Sequence, residues 1–217
     1  RMTKALNNLG HRVTRSTVSR WMKEANLIAK TKWKFRVVTT DSSHKMPIAE
    51  NVLNRNFNPE KPGAVLASDI TYIPTHEGWL YLAITLDLFS RRVVGWSMNA
   101  TMTEELVTSA LTMALGRSKL AVGAIHHSDR GSQYAAKGFQ TILAYNKITT
   151  SMSRKGNCWD NSPTESFFHS LKTELVYFEN YQTREEAKKS IFEYIEVFYN
   201  RERLHSTINY KSPVDFE

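Results

Sequence analysis

Cysteine is nearly absent from this chain, which has Cys158 alone among its 217 residues. One thiol excludes an internal disulfide and any zinc site built from several cysteines. Long apolar runs are also lacking, since none approaches the roughly 18 residues that a membrane span needs, and no secretory signal opens the sequence. These absences exclude a disulfide scaffold and a membrane protein, and they predict a cytoplasmic globular chain.

Aromatic residues, in contrast, are plentiful, with five Trp, nine Tyr and ten Phe within a hydrophobic content of 41%. That content argues for a packed core rather than a disordered tail. A length of 217 residues allows one sizeable domain and a small additional module. The sequence opens at Arg1 rather than Met, which is consistent with a piece of a longer product.

Acidic residues are scarce near the amino terminus. Residues 1–36 contain ten Lys or Arg and one acid, Glu24, and so carry a net charge of +9, whereas the other 181 residues carry −1. Clustered basic residues gain affinity for polyanions because they release counterions from phosphates. The asymmetry predicts an anionic polymer as the partner of this segment, although a solvated basic arm would show the same charge.

Two short helices are predicted within the basic segment, one over residues 2–9 and one that Thr14 or Ser16 caps and that ends near Ala25. The residues expected to face inward on the second helix are Val18, Met22 and Ala25. The candidate DNA contacts on its outward face are Arg15, Thr17, Arg20 and Lys23. Two helices joined by a tight turn, with a polar second helix, form the arrangement that reads a DNA major groove.

The domain boundaries follow from changes in composition. Residues 1–40 form the basic helical DNA-binding module, in which Trp33 and Phe35 alternate with basic residues in a way that suits phosphate contact and stacking. Residues 41–62 are rich in Asn, Ser and Pro and are predicted to be a linker. Residues 63–217 then form the larger domain.

The larger domain has the pattern of an α/β mixed sheet flanked by helices. Its nearly continuous apolar stretches predict strands that are buried on both faces. Strands are predicted over residues 64–73, 79–88, 91–98, 122–126 and 148–152. Helices are predicted over residues 103–115, over 135–145, from Pro163 onwards, and over 185–200.

Three carboxylates lie where a structural role is hard to give them. Asp69 is inside an apolar strand, where an unpaired charge is costly or shifts its pKa. Asp129 follows the strand predicted over 122–126, and open α/β sheets bind their ligands at the carboxyl ends of strands. Glu165 lies in the first turn of the helix that Pro163 opens. Three oxygen ligands from separate elements are what Mg²⁺ prefers.

Two of these acids have structural alternatives. Asp129 precedes Arg and Gly, a position where Asp commonly stabilises a turn. Glu165 completes the pattern Ser-Pro-Thr-Glu at residues 162–165, which fits a capping box. Asp69 is harder to explain without a cation, a cage of hydrogen bonds or a metal ion.

The helix around Glu165 also carries a polar stripe. At 100° per residue, Glu165, His169 and Lys172 fall within about 60° of one another. Arg154 and Lys155 lie in the loop just before this helix. Together these side chains predict contacts with a DNA backbone, although a solvated helix face would have the same pattern.

Long motifs surround the three acids. Asp69 lies in Ser-Asp-Ile-Thr-Tyr, Asp129 in His-His-Ser-Asp-Arg-Gly-Ser-Gln-Tyr, and Glu165 in Asn-Ser-Pro-Thr-Glu-Ser-Phe-Phe, with 35 residues between the second and third acids. These motifs and this spacing resemble those of the DDE transposases and retroviral-type integrases, and Lys172 matches a basic residue of that family. Within it, nearly the whole chain resembles the OrfB-type transposases of bacterial insertion sequences.

The resemblance implies an RNase H-like fold and a transposase that cleaves DNA strands and transfers them at the ends of an insertion sequence. Asp69, Asp129 and Glu165 are then both the catalytic residues and the ligands of two Mg²⁺ ions, for which Mn²⁺ can substitute. The implied partners are the terminal inverted repeats and the target DNA. A homo-oligomer at the bacterial nucleoid is implied as the active form.

Other interpretations use some of the same residues. A catalytically silent, sequence-specific DNA-binding regulator needs only the basic module. A tyrosine recombinase is suggested by residues crowded near the carboxyl terminus, which are Arg201, Arg203, His205 and Tyr210. A zinc site at His126 and His127 lacks the four ligands that closed zinc sites usually require.

Two further acids are expected to lie outside the catalytic set. Asp87 ends a predicted strand and is expected to cap the following turn. Asp160 is expected in a mobile loop, where it is available to assist a DNA contact.

Overall fold

The computed structural model describes residues 1–27, 44 and 46–217. Its basic segment begins with the two predicted helices, which are α1 (Met2–Asn8) and α2 (Arg15–Glu24). The predicted stacking residues Trp33 and Phe35 lie outside the described residues. Within those residues, no helix has the length and apolar character needed to cross a membrane.

The start of α2 is determined by its cap. The hydroxyl of Thr14 accepts a hydrogen bond from the backbone N–H of Thr17 at 3.2 Å, which satisfies one of the donors left over at a helix start. Val18 is buried, as predicted. Ala25 is exposed rather than inward-facing, because the helix already ends at Glu24.

A five-stranded mixed sheet forms the centre of the larger domain. Its strands are β1 (Val65–Thr75), β2 (Gly78–Asp87), β3 (Val93–Asn99), β4 (Ile125–Ser128) and β5 (Thr149–Met152). In space they follow the order β3-β2-β1-β4-β5. The pairs β1–β2 and β2–β3 are antiparallel, whereas β4 runs parallel to both β1 and β5. The parallel half requires crossover connections, which helices supply.

Six helices of this domain cover the sheet or follow it. They are α3 (Glu104–Arg117), α4 (Ser132–Ala135), α5 (Lys137–Tyr145), α6 (Ser162–Glu174), α7 (Arg184–Glu193) and α8 (Pro213–Phe216). Helix α7 continues as a π-helical segment over Tyr194–Glu202. The predicted long helix over 185–200 is thus present, with a change of hydrogen-bonding pattern in its second half.

Side-chain alternation along β2 divides the core into two layers. Leu82 and Ile84 belong to the layer that contains Phe167 of α6 and Ile191 of α7. Ala83 belongs to the opposite layer, which α3, α4 and α5 complete. Since β1 and β2 are covered on both faces, they form nearly continuous apolar runs. That is why their predicted ends agree with the structure to within two residues.

The structure departs from the predicted elements where single backbone positions interrupt a pattern. The strand predicted over 122–126 begins only at Ile125, because Gly123 adopts a φ of 76°. The helix predicted over 135–145 begins only at Lys137, because Ala136 is extended, with φ −63° and ψ 144°, and separates it from α4. Neither backbone change alters the order of elements along the chain.

Gly95 allows β3 to pack closely on α3. A Cβ at this position would collide with the carbonyl oxygen of Ala110 and lie 2.8 Å from the backbone nitrogen of Ala114. Overpacking a core contact costs about 1–3 kcal/mol. We therefore predict that Gly95→Ala lowers the free energy of unfolding by about this amount in urea denaturation.

Gly116→Ala is the matched control. Gly116 lies in α3, and nothing lies within 4 Å of its Cβ position. Alanine favours a helix over glycine by about 0.5–1 kcal/mol, so this variant should be more stable than the wild type. Destabilisation of the same size at both positions would contradict the packing argument.

Candidate active site

Asp69 lies in the central strand β1, opposite Ile84 of β2. Its side chain is half-buried between the buried residues Ser68 and Ile70. The backbone N–H of Ile70 donates to its Oδ1 at 2.8 Å, and the hydroxyl of Thr164 donates to its Oδ2 at 3.3 Å. These donors offset only part of the cost of removing a carboxylate from water.

Asp129 lies beside Asp69 because β1 and β4 pair in parallel. The register aligns Ala67 with His127, and each acid follows two residues later in its own segment. The backbone N–H of Gly131 donates to Asp129 Oδ1 at 2.9 Å. Asp129 therefore does stabilise the turn after β4, as one alternative predicted, while it remains next to Asp69.

Glu165 lies in the first turn of α6, with an exposed side chain. The helix is capped at Asn161 without a side-chain hydrogen bond, so the capping box does not form. The hydroxyl of Thr164 instead donates to the carbonyl oxygen of Asn161 at 2.8 Å and to Asp69. The start of α6 thus contacts Asp69 directly and brings Glu165 to the same edge of the sheet.

The three carboxylates repel one another. Burial raises the pKa of Asp69 well above its usual value of 3.8, and the charges of Asp129 and, less strongly, Glu165 raise it further. The hydrogen bonds from Ile70 and Thr164 act in the opposite direction. Burial also raises the pKa of Glu165. The electrostatics of the site therefore favour a cation among these acids.

Lys172 brings a positive charge toward the same place from α6. Its Nζ lies 4.5 Å from the centre of the Tyr72 ring on β1. Burial lowers the pKa of Lys172, whereas the charge of Asp69 raises it. The residue is half-buried beside the acids rather than on the outer crest of the helix.

Tyr134 was not identified from the sequence, where it reads as an ordinary core aromatic. Its ring is buried and meets Phe139 edge to face, with centroids 5.3 Å apart. Its hydroxyl is buried and has no hydrogen-bond partner in the described part of the chain. Burial raises its pKa well above 10.0, and the charges of Asp69 and Asp129 raise it further. The site therefore includes a buried hydroxyl near two acids.

The donor set suits a hard divalent cation, because it consists of carboxylate and hydroxyl oxygens. Over residues 1–27, 44 and 46–217, no three His, Cys, Asp or Glu side chains are already gathered as a metal site. The two aspartates are adjacent, and Glu165 acts on Asp69 through space.

Two buried histidines lie behind the aspartates. His126 Nε2 lies 2.8 Å from the hydroxyl of Ser68, and His127 Nδ1 lies 2.9 Å from the hydroxyl of Ser151. Burial lowers the pKa of His126 to about 3 and that of His127 to about 4, so both are neutral at pH 7. Each ring contacts a serine, and this pairing does not favour the zinc interpretation.

The predicted DNA contacts differ in their surroundings. The exposed candidates are Arg15, Arg20, Lys23, Arg154, Lys155 and His169. Thr17 is half-buried, and its hydroxyl lies 2.9 Å from that of Thr14, so it belongs to the cap of α2. The lysines and arginines of this set place positive charge on α2 and in the loop before α6.

Arg154 is bound within the chain. Its Nε and Nη2 donate to Asp160 at 2.8 and 2.7 Å. Asp160 is buried rather than mobile, and it also accepts hydrogen bonds from Arg55 at 2.7 Å and Asn51 at 2.9 Å. These donors hold the pKa of Asp160 well below its usual value. The sequence could not show this cluster, because Arg55 precedes Asp160 by 105 residues.

Asp87 caps the turn after β2, as predicted. Its Oδ1 accepts the backbone N–H of Phe89 at 2.7 Å, and its Oδ2 accepts that of Gly63 at 2.6 Å. Burial raises the pKa of Asp87, and these hydrogen bonds oppose the increase. Asp87 thus has a structural role away from the three acids.

The tyrosine recombinase interpretation is not favoured by the arrangement near the carboxyl terminus. Arg203 is buried and pairs with Glu174 at 2.7 Å. Burial and the charge of Arg203 lower the pKa of His205 to about 3. These two side chains are engaged in the core contacts of α6 and the π-helical segment.

Comparison with known proteins agrees with the motifs. An integrase core domain family matches residues 59–158, and a second integrase core domain family matches residues 165–217. An uncharacterized 31 kDa protein of insertion element IS600 from Shigella sonnei is 47% identical over 204 residues, which are 94% of this chain and 75% of that protein. Transposase InsF of insertion sequence IS3A from Escherichia coli K12 is 43% identical over 217 residues, which are 100% of this chain and 75% of the relative.

Solved structures share the fold at low sequence identity. The chain matches a simian T-cell lymphotropic virus intasome in complex with PP2A regulatory subunit B56 gamma, with a TM-score of 0.60, 16% identity, and coverage of 99% of this chain and 73% of that one. It matches the dimeric HTLV-2 integrase catalytic core domain in complex with magnesium, with a TM-score of 0.52, 16% identity, and coverage of 73% and 97%. The likeness confirms the RNase H-like fold class.

Asp160 gives a prediction about stability and pH. Because hydrogen bonds to a charged group contribute about 1.5–3 kcal/mol, Asp160→Asn should lower the free energy of unfolding at pH 7 by about 2 kcal/mol. A carboxylate whose pKa is lowered by folding stabilises above the unfolded pKa, and it loses this effect as the pH falls. The difference from wild type should therefore shrink below about pH 4.

Chemical denaturation at pH 7 and pH 3 measures this difference. Lys155→Ala is the control in the same loop, since Lys155 is exposed, and it should change the stability by less than about 0.5 kcal/mol. A deficit of Asp160→Asn that is equal at both pH values would contradict the role of the charge.

Asp69 gives a prediction of the opposite sign. Because its folded-state pKa is raised, its ionisation opposes folding as the pH rises above the unfolded value of about 4. In a buffer with EDTA at pH 7, Asp69→Asn should raise the melting temperature, by about 2–4 °C for each kcal/mol relieved. The increase should vanish below about pH 4.

Glu60→Gln controls for the change in net charge, because Glu60 is exposed, and it should leave the melting temperature unchanged. A melting temperature of Asp69→Asn below that of wild type at pH 7 would show that the acid stabilises the fold.

Proposed function

The chain belongs to the insertion-sequence transposases that carry an integrase core domain, and we propose that Asp69, Asp129 and Glu165 form its catalytic centre. The function of the family is DNA transposition. The proposal is carried by the parallel register of β1 and β4, which sets two acids side by side with the start of α6 against them. Two adjacent acids with a third nearby can serve phosphoryl transfer when divalent ions join them.

We propose that the three acids hold two Mg²⁺ ions, for which Mn²⁺ can substitute. The raised pKa of Asp69 supports this assignment, because a divalent cation relieves the repulsion among the carboxylates. When bound, the ions supply Lewis-acid stabilisation of the phosphoryl group and activate the attacking oxygen. The HTLV-2 integrase core, which has a similar fold, is described in complex with magnesium.

The chain's own groups orient the two aspartates. The Thr164 hydroxyl holds one oxygen of Asp69, and the Gly131 N–H holds one oxygen of Asp129. These contacts keep each carboxylate in one rotamer, so that little ordering is left for the reaction itself. The buried hydroxyl of Tyr134 is a further donor near both acids.

The proposed reaction is in-line phosphoryl transfer at DNA. Water attacks the phosphorus at the end of the element, the bond to the 3′ oxygen breaks, and that oxygen takes up a proton to become a 3′-OH. The 3′-OH then attacks a phosphodiester of the target strand in the same way. Both steps transfer the phosphoryl group directly between oxygens, so no covalent link between protein and DNA forms.

Basic side chains are proposed to hold the DNA along this path. Lys172 lies beside Asp69, where a phosphate oxygen would approach, and His169 and Lys155 continue the path on the exposed side. Arg15, Arg20 and Lys23 on α2 are proposed to contact the terminal inverted repeat. Two DNA ends have to be held together during transposition, so we propose that a homo-oligomer acts at the nucleoid.

Nicking of a supercoiled plasmid tests the catalytic assignment. With Mg²⁺ or Mn²⁺, the wild type should nick the plasmid, whereas Asp69→Asn and Asp129→Asn should lose at least about a hundredfold in rate, because each removes a metal-binding carboxylate. Electrophoretic mobility shifts should show nearly unchanged DNA binding by both variants, since the basic residues are intact.

Asp87→Asn controls for the loss of an acid outside the site. It should retain metal-dependent nicking in a folded protein. Wild-type nicking rates for Asp129→Asn would overturn the assignment. DNA binding without nicking by the wild type, also on DNA from the element's ends, would favour the silent regulator.

A further inference from the structure

A polar cavity lies beside α6, and none of the three acids lines it. Its volume is about 370 Å³. Three serines spaced four residues apart, called here the serine stripe, form one wall, and they are Ser162, Ser166 and Ser170. Three arginines also line it, and they are Arg1, Arg91 and Arg203. Among the described residues that line this arginine cavity there is no Asp or Glu.

The cavity and the acids lie on opposite sides of α6. Thr164 and Lys172 are on the side that faces Asp69, and the serine stripe is centred roughly 160° away at 100° per residue. The crest between the two sides carries Glu165, which is exposed. A strand that crosses this crest from the acids reaches the cavity after about 10 Å, the width of a helix.

The cavity is electropositive. His205, which is part of its lining, interacts with the charges of Arg203, Arg1 and Arg91 and with one carboxylate, that of Glu174. Glu174 is already shared, since it pairs with Arg203 at 2.7 Å and with Arg1 at 2.8 Å. Asp87 acts on Arg91 as a second carboxylate, and two carboxylates for three guanidinium groups still leave a net positive charge that suits an anion.

Arg91 has donors that remain available. Its Nη2 donates to the carbonyl oxygen of Phe57 at 3.0 Å and to Asn58 Oδ1 at 2.9 Å. Its Nε and Nη1 make no hydrogen bond within the described ranges. Asp87, whose charge acts on Arg91, already accepts backbone N–H groups of its own turn.

The backbone of Arg91 is in the left-handed region that favours glycine, with a φ of 62°. Arg91 lies in the turn between β2 and β3, and Asn54, Arg55 and Lys147 also have a positive φ. The Arg91 side chain is half-buried, and burial lowers its pKa.

We propose that the arginine cavity binds a backbone phosphate of the DNA strand that crosses α6 on its way to Asp69, Asp129 and Glu165. Guanidinium groups bind phosphate through paired hydrogen bonds, and serine hydroxyls add donors. A phosphate held there fixes the register of the strand, since contacts to phosphates position a protein on DNA. The proposal rests on the proposed function, which supplies the strand.

Salt dependence of binding tests whether Arg91 contacts a phosphate. Arg91→Gly removes the guanidinium and suits the left-handed backbone, so the fold should survive. For a duplex of about 25 base pairs, the slope of log K against log salt should fall by about 0.9, the value of one phosphate contact. Arg91→Lys should retain the slope.

Arg117→Ala is the matched control, because it removes one arginine from α3, where Arg117 pairs with Glu196 away from the cavity. It should leave the slope unchanged. An equal decrease in both variants would mean that only the overall charge matters and would overturn the proposal.

A methylphosphonate scan locates the contact. Single neutral methylphosphonates are placed in turn along each strand of a duplex that carries an end of the DNA element. Wild-type binding should weaken roughly tenfold at one position close to the cleaved bond. Binding by Arg91→Gly should be insensitive at that position. The same loss at every position, or an unchanged pattern in the variant, would overturn the proposal.

Inorganic phosphate distinguishes DNA from a free anion as the ligand. If phosphate stabilises the wild type but not Arg91→Gly against heat, while no methylphosphonate position depends on Arg91, the cavity binds a free anion and the proposal is wrong. If phosphate has no such effect and one position does depend on Arg91, DNA is the ligand.

Asp129→Asn separates this proposal from the proposed function. The variant should not nick DNA, yet it should keep the wild-type slope and methylphosphonate pattern. If the wild type nicks DNA normally but neither the salt slope nor the methylphosphonate pattern depends on Arg91, the cavity proposal alone is overturned. A wild type that fails to nick but keeps the Arg91 dependence overturns the catalytic assignment alone.

Discussion

The parallel pairing of β1 with β4 is the constraint on which the site depends. It aligns Ala67 with His127, and therefore places Asp69, within β1, beside Asp129, which follows the last residue of β4. The carboxylates of Asp69 and Asp129 repel each other, and burial of Asp69 makes the repulsion stronger. The sheet can hold them there because its hydrogen bonds and its two apolar layers are formed by other residues. The unfavourable repulsion is therefore confined to the acids, and the stability of the fold comes from the hydrogen bonds and apolar layers of the sheet.

Helix α6 connects this pair of acids to the rest of the domain. Its apolar side, which includes Phe167 and Leu171, is buried in the core layer formed by β1 and β2. That packing sets the rotation of the helix, so that Thr164 meets Asp69 and the serine stripe lines the arginine cavity. The same rotation leaves Glu165 on the crest between them. The packing of α6 thus positions Glu165, the Thr164 hydroxyl beside Asp69, and the serine stripe.

Buried polar clusters hold the surroundings of the acids in place. Within the sheet, the neutral histidines of β4 bond to serines of neighbouring strands, as His126 does to Ser68 of β1. Before α6, Asp160 gathers the side chains of Arg154 and Arg55, which come from segments far apart in sequence. Because a buried charge without a partner is costly, such a cluster forms only when all its members are in place. It thereby links the loop before α6 to the segment that precedes β1.

The sequence by itself determined the family and the two apolar central strands, and it predicted the three acids. Local patterns carry that information, because β1 and β2 are apolar on both faces and each acid lies in a long motif with a set spacing. Asp69 could be found without the resemblance, since a carboxylate inside an apolar strand needs a physical reason.

The tertiary structure alone decided which polar side chains surround those acids. Thr164, Tyr134 and Arg91 carry no signal in their own segments, and Arg154 looks available for DNA until Asp160 is seen to bind it. The contact of Thr164 with Asp69 joins residues 95 positions apart, and that of Arg91 with Phe57 joins residues 34 positions apart. Periodicity and spacing describe neighbours along the chain, whereas burial, charge and hydrogen bonding depend on neighbours in space.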